Sequence, residues 1–347
     1  MSDKIRVGVL GASGYTGADL VRLLATHPNT VTEVLTANQH AGKPMRAVYP
    51  HLQMLDLPDL IRIEDADWSA LDVIFCGLPH GTTQEIVAGL PRGVKTVDLS
   101  ADFRLRDPAT YAATYGHEHL APELQEEAAY GLTELNREAV KGARLVACPG
   151  CYPTAVLLAL APLAEAGLID ASDVVIDAKS GATGAGRKVD QSLLFAEVGE
   201  GIHPYAVGKH RHAPEIEQEL GLAAGLELKV NFTPHLIPMN RGELVTCYVR
   251  LAEGSLPDEL RDNLATRYAD EPFVGVLPEG EVPATRNVRG SNFCHIAVFP
   301  DRIPGRAIVI AVIDNLVKGS SGQALQNMNA MFGLPETTGL LQQPLFP

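Results

Sequence analysis

A cysteine between an apolar strand pattern and an apolar helix pattern is well placed to act as a nucleophile. Cys151 is such a residue. It lies in Ala147-Cys148-Pro149-Gly150-Cys151-Tyr152-Pro153-Thr154, after a strand-like run at 143–147 and before a helix-like run at 155–166. Amides at a helix start present partial positive charge, which favours thiolate over thiol and lowers a cysteine pKa from about 8.5 toward neutrality. Pro153 suits the first turn, where its missing N–H is no loss. Two other readings fit the same residues. Free cysteine is among the residue types most often buried, so Cys151 is also readable as an inert core thiol at a strand end. Cys148 and Cys151 are spaced C-x-x-C before a helix, which is the pattern of a thiol redox pair.

Thiol chemistry on a carbonyl needs a proton acceptor and a proton donor near neutral pH, which is the range of histidine. His210 and His212 flank Arg211 in His210-Arg211-His212-Ala213-Pro214-Glu215, and the residues alone do not separate the two. With His203 they also admit a zinc reading, against which stands the lack of any cysteine-rich ligand set beside them. Binding an anionic substrate calls for cations and amides. The stretch Ser180-Gly181-Ala182-Thr183-Gly184-Ala185-Gly186 follows a strand pattern and runs into Arg187 and Lys188, a candidate anion nest beside a guanidinium. Arg211 is a further anion-binding candidate. The alternative for both is a solvated charge on a loop.

A second chemical signal opens the chain. A strand pattern at 4–10 leads into Gly11-Ala12-Ser13-Gly14-Tyr15-Thr16-Gly17 and then into a helical pattern carried by Leu20, Val21, Leu23 and Leu24. Strand, glycine turn and helix in that order bring backbone N–H groups and a helix N-terminus onto a pyrophosphate. The spacing is G-x-x-G-x-x-G, a departure from the strict G-x-G-x-x-G fingerprint. The next strand, at 31–35, ends at Thr36, Ala37, Asn38, Gln39 and His40, without the acid that would hold the 2′-hydroxyl of NAD and repel the 2′-phosphate of NADP. With Lys43 just beyond, the expected cofactor is NADPH.

These residues need a scaffold, and 347 residues suit two domains. Buried parallel strands are expected at 72–76 and 94–99, and the alternation of strand and helix through 146 predicts a doubly wound sheet. Beyond Cys151 the pattern changes. Strands are expected at 174–178, 227–234, 244–251, 295–300 and 306–315, with helices at 256–268 and 323–331, which predicts an α+β domain on a mixed sheet. A boundary close to Cys151 would put the thiol at an interdomain cleft, where ligand sites concentrate. A net charge of −14 argues against nucleic acid or anionic membrane as a partner. Five cysteines form no disulfide framework. No run approaches the roughly 18 apolar residues of a membrane span, and 1–4 leads straight into a strand pattern, so a cytoplasmic protein is expected.

Together the segments 11–17, 148–154, 180–187 and 210–216 resemble N-acetyl-γ-glutamyl-phosphate reductases, NADPH-dependent enzymes of arginine biosynthesis. The resemblance runs from residue 5 to about 330, and its most specific parts are Pro149-Gly150-Cys151-Tyr152 and the His210-to-Glu215 segment. It implies a Rossmann domain over 1–150 and 316–347 that binds NADP, with a catalytic and oligomerisation domain over 151–315 in a homodimer or homotetramer. It implies Cys151 as nucleophile, Cys148 as bystander, His210 as acid and base, and Glu215 orienting or tuning that histidine. Gly11, Ser13, Gly14, Tyr15, Thr16 and Gly17 would hold the cofactor, with Asn315 near it. Ser180, Gly181, Arg187, Arg104 and Arg211 would face an anionic acyl phosphate, and no metal is implied. The chemistry is coherent: a thiolate displaces phosphate to give a thioester, and hydride reduces the thioester. Aspartate-β-semialdehyde dehydrogenases share the plan, but there the cysteine usually follows an Asn and the histidine comes later in the chain. A non-enzymatic NADP-binding redox sensor using Cys148 and Cys151 is the rival of another class.

Overall fold

The computed structural model describes residues 4–346. The described residues up to Pro149, together with Ser320–Leu341, form one compact unit; Gly150–Gly319 and the described residues from Gln342 to Phe346 form a second. The resemblance implied that the first unit would take all of 316–347. In the structure the last residues lie with the second, where the Leu345 N–H donates to the Arg289 carbonyl at 2.8 Å.

The first unit is built on a wholly parallel seven-stranded sheet. Its strands are β1 (Ile5–Leu10), β2 (Thr30–Thr36), β3 (Leu60–Ile61), β4 (Val73–Cys76), β5 (Lys95–Asp98), β6 (Ala129–Tyr130) and β7 (Leu145–Ala147). They lie in the order β3-β2-β1-β4-β5-β7-β6. Val73, Ile74, Phe75 and Cys76 are all fully buried, as a parallel strand covered on both faces must be. The chain runs outward from β1 to β3 and then crosses back to β4, so the carboxyl ends of β1 and β4 flank the switch point where open α/β sheets bind ligands. The helix Gly322–Met331 completes this unit and is buried along its length. It docks through polar groups: Asn327 donates to the Gly131 carbonyl at 2.8 Å and accepts from the Thr133 hydroxyl at 2.6 Å.

The second unit holds a mixed seven-stranded sheet of β8 (Ile169–Gly181), β9 (His203–Pro204), β10 (Asn231–Ile237), β11 (Glu243–Leu251), β12 (Val274–Val276), β13 (Cys294–Pro300) and β14 (Arg306–Ile313), in the order β12-β13-β14-β11-β8-β10-β9. β8 pairs in parallel with β10 and β12 with β13; the remaining pairs are antiparallel. β8 is longer than its sequence suggests because a register shift at Val249/Arg250 lets Ile169 and Asp170 keep pairing with β11. The strand expected from 227 starts only at Asn231, since Lys229 and the Val230 N–H are held by the Glu217 carboxylate.

Against this sheet packs the helix Cys151–Glu165, buried without a break from Tyr152 to Ala164. A helix apolar on all sides belongs in a core. Leu157, Leu158, Leu160 and Leu163 are fully buried, and each contributes about 1.5–3 kcal/mol by burial. That anchoring fixes the position of the helix start. Among the described residues no helix is long and apolar enough to cross a membrane.

Candidate active site

In the first unit the turn after β1 is shaped by glycines at two points where a side chain cannot fit. Gly11 has φ +74°, and a Cβ on it would lie 2.4 Å from the Gly77 carbonyl oxygen. A Cβ on Gly17 would lie 2.5 Å from the Gly11 carbonyl oxygen, so the helix Tyr15–Leu24 can start directly on the turn. The turn is tied to the end of β2: the Gly11 N–H donates to the Thr36 hydroxyl at 3.3 Å and the Ala12 N–H to the Thr36 carbonyl at 2.9 Å. Gly14 caps the helix without any side-chain hydrogen bond. The first-turn amides, from Tyr15, Thr16 and Gly17, have no acceptor within the helix and point to its positive end. Ser13 is held through its carbonyl by the Tyr49 hydroxyl at 3.0 Å, and Thr16 accepts from the Ser320 hydroxyl at 3.3 Å. A narrow glycine turn against an uncapped helix start fits a dinucleotide pyrophosphate.

In the second unit Cys151 is the first residue of its helix and is partly exposed, whereas Cys76, Cys148, Cys247 and Cys294 are buried; all five are free thiols. Two glycines form its walls. A Cβ on Gly319 would lie 2.7 Å from the Cys151 Cβ, and a Cβ on Gly150 would lie 2.6 Å from His212 Nε2. The Gly150 N–H donates to the Glu215 carboxylate at 2.8 Å. Glu215 is buried in the first turn of the helix His212–Ala224. The resemblance implied that it orients His210. One contact of Glu215 is this bond to the residue before Cys151, through which it helps fix the approach of the thiol.

His210 and His212 lie together, ring centroids 4.8 Å apart, with His210 edge-on to Tyr152, Tyr205 and Phe232. The Tyr205 hydroxyl donates to that of Tyr152 at 3.2 Å. Burial, reinforced by the Arg211 charge, holds the His210 imidazole down to about 4. Its Nδ1 accepts the His212 N–H at 3.1 Å. A neutral imidazole with an occupied Nδ1 carries its proton on Nε2, which makes it a hydrogen-bond donor. Burial, and for Tyr152 the nearby Glu243 carboxyl, push both phenols up, so they stay protonated. Among the described residues no three His, Cys, Asp or Glu side chains are grouped to hold a metal.

The glycine-rich loop at 180–186 departs from the expected nest. The N–H groups of Gly181, Ala182 and Thr183 donate to the carbonyls of Gly242, Met239 and Asn240, at 3.0, 2.9 and 3.2 Å. They are committed to the loop between β10 and β11, and a Cβ on Gly181 would lie 2.6 Å from the Asn240 carbonyl oxygen. Ser180 is buried and donates to the Gly181 carbonyl at 3.1 Å. Arg187 and Arg211 are exposed, and Lys188 pairs with Asp190. Arg104 lies in the first unit and is buried, donating to the carbonyls of Cys148 and Leu99 at 2.8 and 3.1 Å, so it braces the end of β7. Asn315 lies in the second unit, where it accepts the Gly242 N–H at 2.8 Å and donates to the Thr183 hydroxyl at 3.0 Å. Two residues escaped sequence reading, Tyr205, bonded to Tyr152, and the fully buried Glu243, which opens β11; the turn that starts at Gly319, against the Cys151 Cβ, resembled the family's cofactor-side segment. The strand expected at 244–251 begins one residue after Glu243, so its pattern did not mark the acid as buried.

Residues 6–143 match the NAD binding domain of semialdehyde dehydrogenases, and residues 151–315 match the semialdehyde dehydrogenase dimerisation domain. The chain is 59% identical to the probable chloroplastic N-acetyl-γ-glutamyl-phosphate reductase of Arabidopsis thaliana, covering 99% of this chain and 86% of that one. It is 60% identical to the N-acetyl-γ-glutamyl-phosphate reductase of Rhodospirillum rubrum, covering all of both. Solved structures share the fold at low identity. Aspartate semialdehyde dehydrogenase II of Vibrio cholerae gives a TM-score of 0.72 at 15% identity, over 96% of this chain and 99% of that one. The NADP complex of the Candida albicans aspartate semialdehyde dehydrogenase gives 0.70 at 17%, over 95% and 99%. High identity along the full length lies with the first group, and the chain belongs to the semialdehyde dehydrogenase family, in its N-acetyl-γ-glutamyl-phosphate reductase branch.

Proposed function

We propose that the chain reduces N-acetyl-γ-glutamyl phosphate to the semialdehyde, releasing phosphate, through a thioester on Cys151, as a step of arginine biosynthesis. The observation that carries the reading is a partly exposed thiol at the start of a buried helix, next to two histidines and two phenols in one unit. The Cys151 sulfur attacks the acyl carbon, and the C–O bond to phosphate breaks with its electron pair. The helix start favours the attacking thiolate. Neutral His210 serves as donor to the acyl oxygen, and at the end of the cycle supports collapse of the hemithioacetal. Glu215 holds the backbone of Gly150 and thereby the angle of attack. Gly11, Ser13, Gly14, Tyr15, Thr16 and Gly17 would hold the dinucleotide, which when bound supplies a hydride. The strand end at Thr36 to His40, without an acid, supports NADPH over NADH.

Arg187 and Arg211 are exposed cations on loops of the second unit and are assigned to the anionic ends of the substrate. Arg104 and Asn315 act by positioning backbone, the first at Cys148 and the second at Gly242 and Thr183. The match to a dimerisation domain and the exposed Val189, Phe195 and Ile202 between β8 and β9 support a homodimer or homotetramer. The deciding assay runs the reaction backward, with N-acetylglutamate semialdehyde, phosphate and NADP, beside aspartate semialdehyde. Turnover of the first and not the second is expected; the opposite preference would reject the substrate assignment.

A further inference from the structure

Asp102 follows β5 in the chain and is fully buried, yet its carboxylate is bonded to the loop that leaves β4. One oxygen accepts the Gly81 N–H at 2.6 Å and the Tyr111 hydroxyl at 3.0 Å, and the other accepts the Thr83 N–H at 2.9 Å. Three donors on two oxygens suit an ionised carboxylate, which only accepts. The backbone of Asp102 is pinned as well. Its N–H donates to the Ser100 hydroxyl at 3.1 Å, and its carbonyl accepts from the Gln84 amide at 3.2 Å and from His119 Nε2 at 2.8 Å. The gripped loop, 77–82, joins β4 to the helix Thr83–Gly89. It starts against the glycine turn: the Gly77 N–H donates to the Leu10 carbonyl at 2.9 Å, and the Gly77 carbonyl oxygen is the atom a Cβ on Gly11 would strike. Pro79, His80 and Thr82 are exposed, and Gly81 turns the chain at φ +81°. Thr82, the cap residue of that helix, does not supply the acceptor, since its hydroxyl donates to the Pro79 carbonyl at 2.6 Å.

We propose that Asp102 is a positioning residue for the dinucleotide: by holding the Gly81 and Thr83 amides from beneath, it presets the 77–82 loop as the wall of the nicotinamide half. In a sheet ordered β3-β2-β1-β4-β5 the dinucleotide lies across the carboxyl ends of the strands at the switch point, one mononucleotide on each side. The adenosine ribose is read at the end of β2, so the nicotinamide half falls on the β4 side, where this loop leaves the sheet. An exposed loop turned by a glycine samples many conformations when free, and ordering it on binding weakens affinity. Held by a buried carboxylate, the loop is ordered before the ligand arrives. Asp102 touches no ligand itself; it acts through the backbone of Gly81 and Thr83.

The inference rests on the first unit holding NADPH, and its test needs no turnover. Wild type, Asp102→Asn and Tyr111→Phe are titrated calorimetrically with NADPH and with 2′,5′-ADP, which carries the adenosine half and its 2′-phosphate but no nicotinamide. Asn keeps one acceptor oxygen and turns an NH2 group onto the other N–H, so one end of the loop is released. In Asp102→Asn the Kd for NADPH should rise about tenfold, while that for 2′,5′-ADP stays within about twofold of wild type. Tyr111→Phe removes a buried bond to the same carboxylate but leaves both amide contacts, so it should keep both affinities within about twofold even where it lowers the unfolding midpoint. Unchanged NADPH affinity in Asp102→Asn, equal weakening toward both ligands, or the same selective loss in Tyr111→Phe would each overturn the proposal. A wild type that binds neither ligand overturns the dinucleotide reading, and the inference with it. Should Asp102→Asn not fold, amide hydrogen exchange of the wild type decides. The Gly81 and Thr83 amides should be protected before NADPH is added, and amides that become protected only with NADPH overturn a preset loop.

Discussion

The dinucleotide turn of the first unit and the thiol neighbourhood of the second are built in opposite ways. The turn is seven consecutive residues, and its distinguishing property is side chains that are missing: Gly11 and Gly17 each leave room only for backbone. The thiol neighbourhood is an assembly of side chains from separate elements. Cys151 and Tyr152 come from one helix, Glu215 from another, and Tyr205 and His210 from the loop between β9 and the second helix. A local device depends on one turn conformation, whereas a convergent one depends on the sheet beneath it. Damage to the first should therefore appear as weakened dinucleotide binding, and damage to the second as lost chemistry with binding preserved.

Cys151→Ser sharpens that contrast most. The hydroxyl's far higher pKa removes the nucleophile without touching the turn, so turnover should vanish while dinucleotide binding, read by fluorescence titration, stays as in wild type. Activity above a few per cent would sink Cys151 as nucleophile. Next is His210→Asn, which should cost about 10²–10⁴ in turnover, with His212→Asn costing less; the reverse order would exchange their roles. The pH profile adds a check. With a folded-state pKa near 4, His210 stays neutral down to that pH, so turnover should show no acid limb in the ordinary histidine range. The same depression means that stability from neutral His210 is present above about 6.5 and is lost as pH falls from there toward 4, because the unfolded chain binds the proton first.

Smaller, and aimed at the junction of backbone and side chain, is Gly150→Ala. The new Cβ would lie 2.6 Å from His212 Nε2, so either the ring or the helix start must move. A displacement of that order at the reacting centre is expected to cost about 10²-fold in turnover. Dinucleotide affinity should not change. A fully active Gly150→Ala protein would show that the second site tolerates what its geometry forbids.

Legibility in the sequence follows the same division. The parallel sheet was readable because buried strands such as 73–76 are unbroken apolar runs, and the mixed sheet because β8 and β11 alternate in burial. β3, β6 and β9, at two residues each, carry too little pattern to stand out. The loop at 180–186 shows where composition misleads: it shares its glycines with the first turn, but no long helix follows it, and its amides pair with the 239–242 carbonyls instead of pointing to a ligand. Cys151 stood out as a candidate in its local segment, whereas the residues alone left His210 and His212 unseparated and Glu215 entered only through the family resemblance. Glu243 did not stand out, because a single acid at a strand start does not announce that the sheet will bury it.

The smallest expected effect returns to the first unit and concerns the cofactor. β2 ends at Thr36, whose carbonyl and hydroxyl are both bonded to the glycine turn, so the residues that follow are those at the ribose end of such a fold. Ala37 is buried, and its N–H donates to the Ile61 carbonyl at 2.9 Å. An acid placed at 37 would be desolvated and would disturb the strand end as much as the ligand. Asn38 is exposed, as is Lys43. Asn38→Asp therefore introduces the carboxylate that NAD-specific folds place there, at a position where it stays solvated. It should lower catalytic efficiency with NADPH about tenfold relative to NADH, by repelling the 2′-phosphate across solvent, with the wild type preferring NADPH. Turnover with saturating dinucleotide should be unchanged, since the thiol lies in the other unit. Equal or better use of NADH by the wild type would defeat the cofactor reading, and a loss of turnover at saturation in Asn38→Asp would break the separation between a binding turn and a chemical neighbourhood.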